Sequence, residues 1–188
     1  MSIQKFFVPI ALMILMNGIM VLSGCTTEKT PEPQQQIPAI SLSAADKEKL
    51  LVFQKEILNI ENLTDKAVKL AVDELKNVIK GGEVSTNIAT LVDKAKAECL
   101  LAGELLTRKV IPEVLPPEAK RLLNEGRTGL ITAYKAYAES FDAINNFATD
   151  KNPMALLEYR KKHTEAQELY NAAAIKLKTV MTAAGISK

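Results

Sequence analysis

A seven-residue beat runs through the C-terminal part of the chain: Leu156, His163, Tyr170, Leu177 and Ala184, with a second row of Tyr159, Ala166, Ala173 and Val180. Two such rows three residues apart put one apolar edge along a helix, and that edge needs neighbouring helices to cover it. Pro153 suits the first turn of this helix, Asp150-Lys151-Asn152 forms the turn before it, and Gly185 stops it. A chain carrying this seam is committed to helix-on-helix packing. No alternation of apolar and polar residues, the mark of a strand, occurs from residue 44 onward.

Three further helical stretches precede it. Ser43-Ala44-Ala45-Asp46 offers an N-cap with an acid in the first turn. Leu50, Phe53, Ile57, Ile60, Ala67, Ala71, Leu75 and Val78 then follow at helical spacing up to Gly81-Gly82, with a soft spot at Asn62-Leu63-Thr64-Asp65. A second stripe, Ile88, Leu91, Val92, Ala95, Cys99, Ala102, Leu105 and Leu106, starts near Ser85-Thr86 and is closed by Pro112, Pro116 and Pro117. The third helix opens at Pro117 and carries Leu122, Leu123, Leu130, Tyr134, Tyr137, Phe141 and Ile144. Gly126 and Gly129 fall inside it, each costing about 1 kcal/mol relative to Ala, so the helix either breaks or kinks there or packs closely against a neighbour. Four helices with short connections predict an all-α, antiparallel up-down four-helix bundle over residues 44–188.

The N-terminus is built differently. Lys5 precedes an apolar run from Phe6 to Leu22, interrupted by Pro9, Asn17 and Gly18, which is the layout of an export signal. The run ends in Leu22-Ser23-Gly24-Cys25. These residues resemble the lipobox of bacterial lipoproteins. The resemblance implies cleavage before Cys25, so that residues 1–24 are a signal peptide, and it implies a diacylglycerol thioether on the Cys25 sulfur with acylation of the new amino group. It also implies a domain outside the cytoplasm, held at the cell membrane or the outer membrane. Two or three acyl chains anchor stably, at about 0.8 kcal/mol per buried CH₂. The competing reading is an uncleaved span, since the run approaches the roughly 17 residues a bilayer needs; both readings place the rest of the chain on the same side. Residues 25–43 read as a tether. Pro31, Pro33, Gln34-Gln35-Gln36 and Pro38 bring too little apolar surface to offset ordering entropy, which predicts disorder.

Charge narrows the partners. The chain has 24 Lys+Arg against 22 Asp+Glu, and cleavage would remove only Lys5. A nearly neutral domain lacks the basic stripe a nucleic-acid binder needs to displace counterions, and Arg160-Lys161-Lys162 reads as a solvated helix face. With Cys25 lipidated, Cys99 is left without a disulfide partner in the chain: either a buried thiol or an intermolecular link.

Candidate chemistry is sparse. His163, the one histidine, sits on the apolar row of the last helix. Hairpin counting puts Tyr137 and Phe141 at its level and Tyr134 near Tyr170. Tyr134, Tyr137, His163 and Tyr170 therefore define a candidate interhelical ligand pocket, weighed against a core-edge histidine satisfied by its neighbours. The residue three before His163 is Arg160, so the Glu-x-x-His pattern of di-iron bundles is missing, and a lone histidine makes no zinc site. Counting along the helices separates Cys99 from His163 by more than about 10 Å, too far for a nucleophile–base pair. No cofactor and no catalytic residue is expected. The composite expectation is a non-enzymatic lipoprotein that binds an envelope protein or, alternatively, a small molecule.

Overall fold

The computed structural model describes residues 37–80 and 87–186. Cys25, the signal-like segment 1–24, the first part of the expected tether, Gly81-Gly82 and Ser85-Thr86 lie outside the described residues. Among those described there are four helices and no strand. They are α1 (Ala44–Ile79), α2 (Ile88–Thr107), α3 (Pro117–Asp150) and α4 (Pro153–Ala183).

The ends follow local chemistry. The Ser43 side chain accepts from the Asp46 N–H at 3.2 Å, and its hydroxyl donates to the Asp46 carboxylate at 2.7 Å. Pro117 opens α3, where a missing N–H costs nothing. Asn152 caps α4 by accepting from the Met154 N–H at 3.0 Å. Gly185 takes a positive φ of 67° just beyond it, a conformation that favours glycine.

Neither point at which the sequence allows a bend or break interrupts its helix. α1 runs unbroken through Asn62–Asp65, where Thr64 turns inward and its hydroxyl donates to the Ile60 carbonyl at 3.1 Å. α3 runs unbroken through Gly126 and Gly129. A methyl group at Gly126 would lie 2.9 Å from Leu177, and one at Gly129 would lie 2.9 Å from the Cβ of Ala173. The glycines are where α4 comes closest, so the packing gained across the interface offsets their low helix propensity. α2 stops at Thr107, short of Pro112, and the Lys109 carbonyl just past its end is taken by the Arg127 guanidinium of α3.

Close backbone approach joins successive helices: α1 with α2, α2 with α3 and, most extensively, α3 with α4. The core runs through all four and includes Leu50, Phe53, Leu75, Val92, Leu106, Leu122, Leu130, Phe141, Ile144 and Val180. On α4 the row Tyr159, Ala166, Ala173 and Val180 is buried, while Leu156, His163, Tyr170 and Leu177 are half-buried along its edge. Ile37, Ile40 and Leu42, in the stretch that composition assigns to the tether, pack against this core. The Ile40 N–H also donates to the Ala183 carbonyl at 2.8 Å.

Candidate functional site

α3 and α4 carry the aromatic cluster. Their small residues (Gly126, Gly129, Ala173) let the backbones close at one end, and farther along the pair the tyrosines fill the space. The Tyr134 ring meets Tyr170 edge-on, with centroids 6.4 Å apart. Tyr137 meets His163 at 5.2 Å, again edge-on. Tyr159 also lies against the imidazole, with centroids 5.1 Å apart and the rings tilted by 37°. The cluster is thus two contiguous ring groups, Tyr134–Tyr170 and Tyr137–His163–Tyr159.

α1 contributes the polar side. The Tyr170 hydroxyl donates to Glu61 Oε1 at 2.8 Å, linking α4 to α1. Burial pushes the Glu61 carboxyl up to about 7, the Tyr170 hydrogen bond opposes this, and the nearby negative Asp65 adds to it. A carboxyl in that state exchanges its proton near neutral pH. Burial holds the phenols of Tyr134, Tyr137, Tyr159 and Tyr170 protonated.

His163 is driven the other way. Burial lowers its pKa to about 4, with the Lys76 charge adding to the effect, so the ring is neutral at physiological pH. Its Nε2 stands 3.4 Å from the Gln167 side-chain nitrogen, while its Nδ1 is buried with no hydrogen-bond partner. A neutral imidazole has one donor and one acceptor nitrogen. If Nε2 accepts from the Gln167 amide, the Nδ1 proton has nothing to bond to.

Tyr134, Tyr137, His163 and Tyr170 are therefore brought together. Cys25 lies outside the described residues. Glu61, Asp65, Tyr159 and Gln167 belong to the same neighbourhood and were not singled out from sequence. For Gln167 the signal was its place one turn after His163, and for Tyr159 its membership of the second heptad row. Glu61 had only its place beside Ile60 and one turn after Ile57, on the margin of the α1 stripe.

Other chemistry is remote from this cluster or closed off. Cys99 is 0 % exposed, and burial pushes its thiol up to about 12, so it is not a nucleophile at neutral pH. Among the described residues no three His, Cys, Asp or Glu side chains are grouped to hold a metal. A surface depression of about 600 Å³ lies instead at the α3–α4 turn, lined by residues including Asn146, Asp150, Met154, Leu157, Glu158 and Lys161. It is open and belongs to a different stretch of both helices. No helix among the described residues is long and apolar enough to cross a membrane. No protein-family model, curated protein or solved structure matches the chain.

Proposed function

We propose that this chain is a cell-envelope lipoprotein, held by lipid on Cys25, whose helical bundle is a non-enzymatic interaction or structural module. The observation that carries the reading is Leu22-Ser23-Gly24-Cys25 at the end of an apolar leader, followed by a domain with a single continuous core. An antiparallel up-down order of the helices belongs to the proposal. It is supported by pairs that advance along one helix while receding along the next: Gly126 with Leu177, Gly129 with Ala173, Tyr134 with Tyr170 and Tyr137 with His163. Lys109 with Glu56 supports the same order for α1 and α2.

The test is cross-linking of the tagged protein in its own host's envelope. The proposal expects one envelope protein to be captured reproducibly, and capture to be lost when surface residues are substituted while the bundle stays folded. Recovery of the same neighbours as an unrelated lipidated control would contradict it.

A second reading has one observation in its favour: the unpartnered, buried His163 Nδ1 beside tyrosine rings and the protonatable Glu61. It makes the Tyr134, Tyr137, His163 and Tyr170 seam a small-molecule site. On this reading His163→Ala and Tyr137→Ala abolish binding without unfolding the domain, and native mass spectrometry of the full chain shows an added non-covalent mass. A bare mass, with both variants merely destabilised, returns the seam to the core.

A further inference from the structure

α1 and α4 are not among the helix pairs whose backbones approach closely. Side chains bridge the seam between them. The Tyr170 hydroxyl of α4 reaches Glu61 Oε1 of α1 at 2.8 Å, and the Tyr170 ring is held edge-on by Tyr134 of α3. Three residues after Glu61, Thr64 is buried, but its hydroxyl donates within α1, to the Ile60 carbonyl.

Glu61 is half-buried in this seam. Asp65 follows it by one turn on the same face of α1, where like charges repel. Burial raises the carboxyls of both. At Glu61 the Tyr170 hydrogen bond opposes the rise and the Asp65 charge adds to it; at Asp65 the Lys69 ammonium, one turn further, offsets it in part. The titratable groups within electrostatic reach on the other helices are the phenols of Tyr134 and Tyr137 on α3 and of Tyr170 on α4, with the Cys99 thiol of α2 beside the α3 phenols. Burial holds all four neutral, and none of them is a cation. His163, two turns before Tyr170 on α4, is neutral at physiological pH as well. An ionised Glu61 thus trades hydration for one hydrogen bond while the seam is closed, and recovers its hydration when α1 moves outward.

We propose that the Glu61–Tyr170 contact is a proton-operated latch between α1 and α4: with Glu61 protonated the seam stays closed, and loss of that proton lets α1 lift from α4 and uncovers the tyrosine cluster. The latch needs neither a lipid on Cys25 nor a bound ligand, so it holds or fails independently of both functions proposed above. Its opening is local, because the close α3–α4 contact at Gly126, Gly129 and Ala173 lies outside the seam. The Glu61 carboxyl titrates at about 4.5 when freed into water and at about 7 in the closed seam. Closure is therefore complete below pH 4.5 and weakens as pH rises through about 7. Between those values each pH unit multiplies the open fraction by nearly ten, and the rise levels off above pH 7.

The test is hydrogen exchange of the full chain from pH 5 to pH 8, read by mass spectrometry and corrected for the intrinsic pH dependence of exchange. Peptides of α1 around Glu61 should lose protection on the order of fifty-fold over that range, while those spanning Gly126–Gly129 and Ala173 change far less. Glu61→Gln should make the α1 profile flat. Asp65→Asn removes the repelling charge and should move the levelling-off point to lower pH. Tyr170→Phe removes the donor that favours the carboxylate and should move it to higher pH. These opposite shifts do not depend on how well Glu61→Gln folds, and a mere packing role at either position would not produce them. Protection lost equally in all four helices, a flat parent profile, or the same levelling-off point in parent, Asp65→Asn and Tyr170→Phe would overturn the proposal.

Discussion

Glu61 and His163 pull the pH dependence of stability in opposite directions. The carboxyl of Glu61 is raised from 4.5 to about 7 in the fold, so its contribution is complete below pH 4.5 and is lost as pH rises through about 7. The imidazole of His163 is lowered from 6.5 to about 4; its contribution is complete above pH 6.5 and is lost as pH falls through about 4. The two windows overlap. Thermal unfolding of Glu61→Gln should therefore show a gain over the parent at pH 8 of about 3 kcal/mol, with little difference at pH 4. His163→Gln should gain at pH 4 instead. Identical pH profiles for parent and both variants would contradict this assignment. At Cys99, a thiol reagent should react only as the protein unfolds, and Cys99→Ser should cost about 1–3 kcal/mol for burying a hydroxyl in an apolar site. The Tyr134–Tyr170 and Tyr137–His163 pairings are legible in the sequence, because heptad rows on α4 and the turn at residues 150–153 fix which rings share a level; the Tyr159–His163 contact is not read that way. The Glu61 contact is not legible. It depends on how α1 sits beside α4, two helices distant in sequence, and a glutamate at the margin of a stripe reads as solvated until that placement is known.

The glycines of α3 carry the element-scale prediction. Gly129→Ala places a methyl 2.9 Å from the Ala173 Cβ, a contact with no flexible side chain to yield, so the helices must separate. A loss of about 1–3 kcal/mol is expected in chemical denaturation, despite the better helix propensity of alanine. Adding Ala173→Gly should restore most of it. Recovery in the double variant distinguishes a clash from a backbone effect, and Gly129→Ala as stable as the parent would refute close approach there. The sequence leaves a break, a kink or close packing open at these positions, and the helix runs through them with α4 packed close. Local propensity sees only the roughly 1 kcal/mol cost of each glycine; the offsetting contact belongs to α4. The opening stretch carries the same lesson. Composition makes residues up to 43 a tether, yet Ile37, Ile40 and Leu42 pack on the core, because three apolar residues among prolines are too few to register as a pattern. Removing residues before Ser43 should lower the melting temperature by several degrees, a change of about 1–2 kcal/mol.

At the scale of the whole molecule, the leader and the bundle carry signals of different kinds. Helix number and core were readable from period and capping, since both follow from local chemistry repeated many times. The role was not, since a bundle is compatible with many functions and the polar groups of this one are spread along a seam and over the outside. A lipid on Cys25, as proposed, would set the compartment in which the bundle meets a partner. The most direct test is intact and N-terminal peptide mass spectrometry of the protein purified from its own host's membranes. A mature chain beginning at Cys25 and carrying diacylglycerol and fatty acyl mass is the predicted result. A chain that still begins at Met1, or an unmodified Cys25, would contradict the account.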